Sequence, residues 1–280
     1  MRSLLYVPAS SAKFIAKAHE RGADAVILDL EDAVAPSGKD AARDGLSASV
    51  PAVGRAGAAV YVRINAEAER RFADAEAACR AGARGLSVPK VKAAADLAEL
   101  AARLAPIEAE LARAPMDFIA LVEDAGAVLD ARAIATGPRL VALAAGGEDI
   151  ATSLGARPTP EVLRLPKLLV HYAAKASGLL SLGLLRSVAD YADIEGMRAA
   201  ADEARTFGFD GASCIHPSLV PILNAAFAPS ADEIAWAEKI VAASERAEAA
   251  GTGAFLVDGA FVDRPIVTRA RALLSAAGRT

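Results

Sequence analysis

Short apolar runs of strand length alternate with longer, alanine-rich amphipathic stretches from one end of this 280-residue chain to the other. That alternation is the pattern of βαβ units built on a parallel sheet. Leu4-Leu-Tyr-Val7 opens the series, and Ala25 to Glu31, Val60 to Ile64, Gly85 to Pro89, Phe118 to Val122 and Leu140 to Ala144 continue it. A seventh strand is expected within Leu179 to Val188 and an eighth over Ala212 to His216. The stretches between them, such as Ser10 to Arg21 stopping at Gly22, Ala93 to Arg113, and Glu195 to Phe207, read as crossover helices. Eight strand–helix pairs in about 230 residues is the size of a (β/α)8 TIM barrel, so an α/β barrel is expected over residues 1–229. Residues 230–280 predict a helix over Ala231 to Ala250, a hairpin over Phe255 to Val262 turning at Asp258-Gly259, and a last helix. Such a helix–hairpin–helix extension is suited to packing on a neighbouring subunit.

Composition narrows the function. Hydrophobic residues make up 54% and charged residues 24%, enough for a large core and too apolar for a disordered chain. A net charge of −4 argues against a nucleic-acid surface, which needs clustered excess Lys and Arg. The two cysteines, Cys79 and Cys214, form no CxxC pair and are expected in the core, as in a reducing cytosol. No uninterrupted apolar stretch reaches spanning length, so the expectation is a soluble, cytoplasmic protein without a membrane partner.

The chemistry concentrates at strand ends. In a parallel barrel a carboxylate at the C-terminal end of a strand faces the mouth, where catalysis is done. Glu123 closes the fifth strand run, and Asp149 follows the sixth within Gly146-Gly-Glu-Asp149. Two carboxylates that leave room for substrate oxygens and water suit Mg²⁺ better than Zn²⁺, which asks for His or Cys. None of His19, His171 and His216 has a second His at ligand spacing, and GxGxxG, Walker, GxSxG and HExxH signatures are absent.

Asp29, Glu31 and Asp32 crowd the end of the second strand, where period two sends Asp29 and Glu31 to one face. They read either as support around a cation or as loop acids capping a following helix at Ser37 to Gly45. Arg63 sits in an otherwise apolar strand, and an unpaired guanidinium there is too costly to be incidental. It suits a clamp for an organic carboxylate, or a structural bridge to Glu31 or Asp29. Lys90, after Val88-Pro89, is similarly placed but is a weaker signal. Lys13 and Lys17, spaced i, i+4 on the first helix, share a face that can take the phosphates of a large anionic ligand, or simply lie in solvent.

Read together, Leu5-Tyr-Val-Pro8, Ala23 to Val34 with Lys39 and Ala42-Arg43, Val62-Arg-Ile-Asn65, Val88-Pro-Lys90, Val122-Glu123, Gly146-Gly-Glu-Asp149, Gly208 to Gly211 with Ile215-His-Pro217, and Val262-Asp-Arg-Pro265 resemble the citrate lyase β-subunit-like family. This family lies within the HpcH/HpaI aldolase group, and the chain is most similar to its citramalyl-CoA lyase branch. The resemblance implies a trimeric or hexameric, Mg²⁺-dependent lyase joining or cleaving a CoA thioester and a 2-oxo acid. By it, Glu123 and Asp149 ligate the metal, Arg63 and Glu123 face the substrate, and Glu31 and Asp32 support catalysis. Tyr6, Lys13 and Lys17 match CoA-contacting positions. Asp263 matches an acid/base that reaches a neighbouring subunit's site.

The match has gaps. Pro8-Ala9-Ser10-Ser11-Ala12 lacks the glycine and arginine usual in the first loop, Leu165-Pro166-Lys167 stands where Tyr-Ala-Arg is common, and the stretch near Gly183 lacks an acid and is slightly longer. Two other readings stand beside the lyase: a class II aldolase acting on free 2-oxo acids, which wants a His near its metal, and a non-catalytic CoA- or oxo-acid-binding paralogue.

Overall fold

The computed structural model describes residues 1–279, in two compact units that divide after Phe227. The first unit holds eight parallel strands in sequential order: β1 (Ser3–Pro8), β2 (Ala25–Asp29), β3 (Ala59–Arg63), β4 (Gly85–Val88), β5 (Asp117–Val122), β6 (Leu140–Ala145), β7 (Leu180–Leu182) and β8 (Ala212–Cys214). β1 pairs with β8 as well as β2. The circle closes between β7 and β8 through the Asp210 N–H donating to Ser181 O at 2.9 Å and the Gly183 N–H donating to Gly211 O at 2.9 Å. This is a (β/α)8 TIM barrel.

Two apolar layers follow from the period-two alternation of the strands. Outward residues such as Leu5, Val7, Val26, Leu28, Val62 and Leu86 pack on the surrounding helices. Inward residues, including Leu4, Ile27, Tyr61, Ile119, Leu121 and Leu182, fill the barrel. Continuing each inward row one step toward the C-terminal end gives Tyr6 on β1, Asp29 on β2, Arg63 on β3 and Glu123 after β5. The barrel's own pleat thus delivers four of the expected site residues to the mouth. Both cysteines are buried, as expected.

Several element ends are shorter than the sequence predicts. The first helix spans Ala12–Ala18, because the chain tightens into i→i+3 bonds at Glu20 and Arg21 before Gly22 takes φ +69°. β2 stops at Asp29 because the Asp29 carboxylate accepts the Glu31 N–H at 2.9 Å and the Ala33 N–H at 3.1 Å, folding the chain into a loop. The acids of this loop cap no helix: the helix that follows, Lys39–Asp44, has Gly38 at its cap position. β8 ends at Cys214, where His216 begins a 3₁₀ turn and receives the Ser218 N–H. Among the described residues no helix is long and apolar enough to cross a membrane.

The second unit, residues 228–280, contains the helix Ala231–Ala249, the antiparallel strands β9 (Phe255–Val257) and β10 (Ala260–Val262), and the helix Arg264–Ala276. Asp258 and Gly259 both take positive φ, +52° and +78°, as a type I′ hairpin turn requires. Ala237, Ile240, Val262, Val267 and Ala270 form this unit's core.

Close packing inside the barrel leaves no room for a side chain at Gly85, where an added Cβ would lie 2.2 Å from Asp117 O and 2.7 Å from Tyr61 Cε1. Gly85→Ala is therefore expected to destabilise the protein by about 1–3 kcal/mol through overpacking, measured as a lower urea midpoint at unchanged m-value.

Candidate active site

The mouth of the barrel opens into a cleft of about 450 Å³ whose wall includes Tyr6, Asp29, Asp32, Arg63, Glu123 and Asp149. Asp29 and Arg63 stand directly opposite each other on the neighbouring strands β2 and β3. That register lets Arg63 lay its fork on Asp29, Nε on Oδ1 at 2.7 Å and Nη2 on Oδ2 at 2.6 Å. Nη1 turns to the exposed Asp32 at 2.9 Å and to buried Glu31 at 3.3 Å. The Tyr6 ring covers the same guanidinium, 5.1 Å from its carbon, a cation–π arrangement. Burial works against the Arg63 charge, but the hydrogen bonds of Asp29 and the charges of Tyr6, Asp29 and Glu31 prevail and hold its pKa above the ordinary arginine value. Burial raises the Tyr6 hydroxyl to about 12, only partly offset by Arg63.

Glu123 emerges from β5 6% exposed, and its Oε2 accepts the backbone N–H of Lys90 at 2.8 Å. Lys90 makes this bond from the left-handed region, φ +51°, uncommon for a side chain that is not glycine. Its ammonium reaches Glu31 at 3.4 Å, so one residue touches two of the acids. The backbone role of Lys90 is not legible in the sequence, because a lysine at a strand end carries no sign of what its N–H does. Asp149 lies in the first turn of the helix Gly147–Ser153, which starts just after β6.

The donor set fits a small hard cation. Glu123 and Asp149 supply carboxylate oxygens, and no His or Cys lines the cleft. Gly146 leaves room for the Glu123 carboxylate: a Cβ there would stand 2.6 Å from Glu123 Oε1. Glu31 Oε2 is buried and makes no hydrogen bond, its contact being the ion pair with Arg63 Nη1 at 3.3 Å. Among the described residues no three His, Cys, Asp or Glu side chains converge to enclose a metal, so a cation bound here would take its remaining ligands from water or substrate. Burial first, and then the charge of Asp149, raises Glu123 to about 7 against the partial relief from the Lys90 N–H and Arg63. Glu31 is likewise raised to about 7, chiefly by burial, with Asp32 and Glu123 adding to it and Arg63 and Lys90 opposing.

The other expected site residues lie elsewhere. Lys13 and Lys17 are exposed on the Ala12–Ala18 helix, line no part of the cleft, and have no carboxylate partner among the described residues. Asp263, in the second unit, occupies the cap position of the Arg264–Ala276 helix yet makes no capping bond, and its carboxylate has no hydrogen-bond or ion-pair partner among the described residues. His19 faces Arg55, His171 meets Ser181 beneath β7, and His216 stacks on Tyr191, so none of the three stands in the cleft. Lys167 does line it and was not foreseen as a site residue. The helical period offered the signal, since Leu163, Lys167, Val170, His171 and Ala174 form one buried stripe of the helix Pro160–Ala176.

The raised carboxyls have a consequence for stability. Glu31 and Glu123 bind protons more tightly in the folded state than at their ordinary value of 4.5. Between about pH 4.5 and about pH 7 the native state therefore holds more protons than the unfolded one, and stability falls as pH rises through that window. The Tm of the metal-free protein is expected to drop between about pH 5 and about pH 8, and Glu123→Gln, which cannot ionise, is expected to flatten the drop in a thermal-melt series.

Comparison with known proteins extends this picture. Residues 2–217 match the model of the HpcH/HpaI aldolase/citrate lyase family. A (3S)-malyl-CoA thioesterase of Cereibacter sphaeroides is 38% identical, covering 99% of this chain and 94% of its own. A citrate lyase subunit beta-like protein of Mycobacterium tuberculosis is 36% identical, covering 98% and 94%. The crystal structure of CitE from M. tuberculosis, in complex with magnesium, acetoacetate and coenzyme A, superposes with a TM-score of 0.80 at 34% identity, covering all of both chains. This protein belongs to the HpcH/HpaI aldolase/citrate lyase family.

Proposed function

We propose that this chain is a Mg²⁺-dependent carbon–carbon lyase that cleaves a 3-hydroxy-carboxyacyl-CoA into a 2-oxo acid and acetyl-CoA, with citramalyl-CoA the first substrate and malyl- or citryl-CoA next. The observation that carries this reading is the placement of Glu123 and Asp149 at one cleft with the Arg63 guanidinium, Glu123 in space that only glycine at position 146 leaves open. The bound magnesium and coenzyme A of M. tuberculosis CitE support the same reading.

The reaction breaks the bond between the carbinol carbon and the methylene next to the thioester. The hydroxyl proton leaves, the carbinol becomes the carbonyl of the 2-oxo acid, and the electron pair passes to a thioester enolate that takes a proton at carbon. Mg²⁺ held by Glu123 and Asp149 would supply positive charge at the substrate's hydroxyl and carboxylate oxygens. Arg63 binds the substrate carboxylate through Nη1, exchanging its exposed partner Asp32 for the ligand while Asp29 keeps the guanidinium plane fixed. Glu31 pairs with that guanidinium and the Tyr6 ring stacks against it. Asp263 holds the proton delivered to the enolate carbon, a role suited to a carboxylate that spends nothing on capping its own helix. Lys13 and Lys17 take the phosphates of CoA, and the lack of a carboxylate partner for either among the described residues leaves both charges available.

A second reading, thioester hydrolysis at the same site, draws on the 38% identical relative named a (3S)-malyl-CoA thioesterase. The free-acid aldolase reading is weaker, because no histidine lines the cleft. Release of 2-oxo acid from citramalyl-, malyl- and citryl-CoA, each with Mg²⁺ and with EDTA, separates the possibilities. Metal-dependent release from one thioester is expected; free CoA with the hydroxy acid intact would establish hydrolysis instead, and no reaction with any thioester would sink the lyase. Glu123→Gln is expected to lower kcat/KM by at least about 10²-fold, since the charge stabilisation at stake is several kcal/mol.

If Asp263 serves a neighbouring subunit, mixing inactive Asp263→Ala and Glu123→Ala proteins is expected to yield hybrids with activity neither parent has. Mixtures that stay inactive after verified subunit exchange would count against a shared site.

A further inference from the structure

The loop of residues 183–193, between β7 and the helix Ile194–Phe207, brings Leu184, Ser187 and Val188 to the cleft wall. A loop of this length is ordinarily mobile, yet this one is fastened along its course. The Lys167 ammonium, 4% exposed, donates to Leu184 O at 2.8 Å and Arg186 O at 2.9 Å. The Ser187 hydroxyl bonds Glu148, whose sequence neighbour is Asp149. Arg186 bridges Asp190 at 2.9 Å and Asp193 at 3.1 Å, and Tyr191 stacks on His216 at 5.1 Å.

Lys167 is the unusual member. A buried ammonium costs several kcal/mol unless compensated, and no carboxylate salt-bridges it among the described residues. Burial pushes its pKa down to about 8, with Glu148 pulling the other way. A neutral side chain of similar length would fill the same space without that cost. What the ammonium adds is two hydrogen bonds to the backbone of one loop, where fully buried Leu184 ties the loop to the core and half-buried Val188 joins Leu121, Leu182 and Ile215 in the apolar part of the cleft wall.

We infer that Lys167 is a specificity-determining positioning residue: it pins residues 184–186, with Leu184 seated in the core, so that the wall carrying Val188 keeps the shape that accepts or rejects the substituent on the reacting carbon of the 2-oxo acid. The inference rests on the function proposed above, and predicts that the wall discriminates pyruvate from glyoxylate, which differ by one methyl group.

The test compares wild type, Lys167→Met and Lys167→Arg by hydrogen exchange and by calorimetric titration of the Mg²⁺-loaded protein with each acid. Lys167→Met is expected to speed exchange within residues 183–193 and to reduce the pyruvate-to-glyoxylate affinity ratio by roughly tenfold, the worth of a methylene in an apolar pocket. Affinity for Mg²⁺ itself is expected to stay within about twofold, and Lys167→Arg to restore part of the ratio. Unchanged exchange, faster exchange with an unchanged ratio, or no binding of either acid to wild type would each overturn the inference. If Lys167→Met does not fold by circular dichroism, Ser187→Ala frees the same loop from its other side and carries the same expectations. Absence of turnover with every thioester, alongside an intact binding preference lost in the variant, would overturn the proposed reaction and leave this wall assigned.

Discussion

The charge on Arg63 cannot be buried alone, and the arrangement of the mouth follows from that. Its position on β3 is inward by the same alternation that fills the barrel with Tyr61 below it. A guanidinium there must find an acid within reach, and the parallel register supplies Asp29 across the strand pair. Breaking such a pair from one side typically costs about 3–5 kcal/mol, because the other charge is left stranded. Asp29 also turns the chain after β2 through its bonds to two backbone N–H groups, so the residue that neutralises Arg63 also sets where Glu31 and Asp32 go.

From that fixed point the site becomes an exercise in unequal charge. Asp29, Asp32, Glu123, Glu148 and Asp149 face the cleft, against the two cations Arg63 and Lys167. Arg63 spends most of its donors on acids and Lys167 donates to carbonyls, leaving Glu123 short of positive partners. Burial, and after it the charge of Asp149, raises its pKa further than the Lys90 N–H and the charges of Arg63 and Lys90 lower it. A fold tolerates a shortage of this kind where a ligand relieves it, and a divalent cation with open coordination positions is the ligand whose chemistry matches two carboxylates and no imidazole.

Most of the barrel was legible in the sequence because a strand buried on both faces must be a short apolar run, and in β2 and β3 the run is broken only at its end, by Asp29 and Arg63. β7 was harder to locate. It has three residues, and closure on β8 passes through Asp210, Gly211 and Gly183, which carry no hydrophobic pattern. The acids and Arg63 were visible for the opposite reason: each breaks an apolar run at its end, where burial makes a charge conspicuous. The pairing between them was not visible, because both a ligand clamp and a bridge to Asp29 are compatible with one buried arginine. The structure shows the bridge, with one nitrogen still directed at a partner in solvent. Lys167 was visible only as part of a departure from the family pattern, Leu165-Pro166-Lys167; its burial was not, because lysine on an amphipathic helix is ordinarily exposed and only the phase of the helix puts this one on the inner stripe.

The two parts of the cleft are held in different ways, and the difference bears on how they change. Tyr6, Asp29 and Arg63 sit within strands and Glu123 directly follows one, so their placement is fixed by the ladder of the whole barrel; shifting one would disturb its register partners. The wall after β7 is held by side chains donating to and accepting from a loop, and its shape depends on Lys167, Glu148, Ser187 and Arg186 one bond at a time. A substitution in the first set disturbs the strand-held charges of the mouth, whereas a substitution in the second remodels the space next to them. The lysine that anchors the wall stands in Leu165-Pro166-Lys167, and both that segment and the stretch near Gly183 are places where the resemblance read from the sequence has gaps. Variation is cheapest where contacts are made by individual side chains, which is where this barrel places the residues that would choose among related acids.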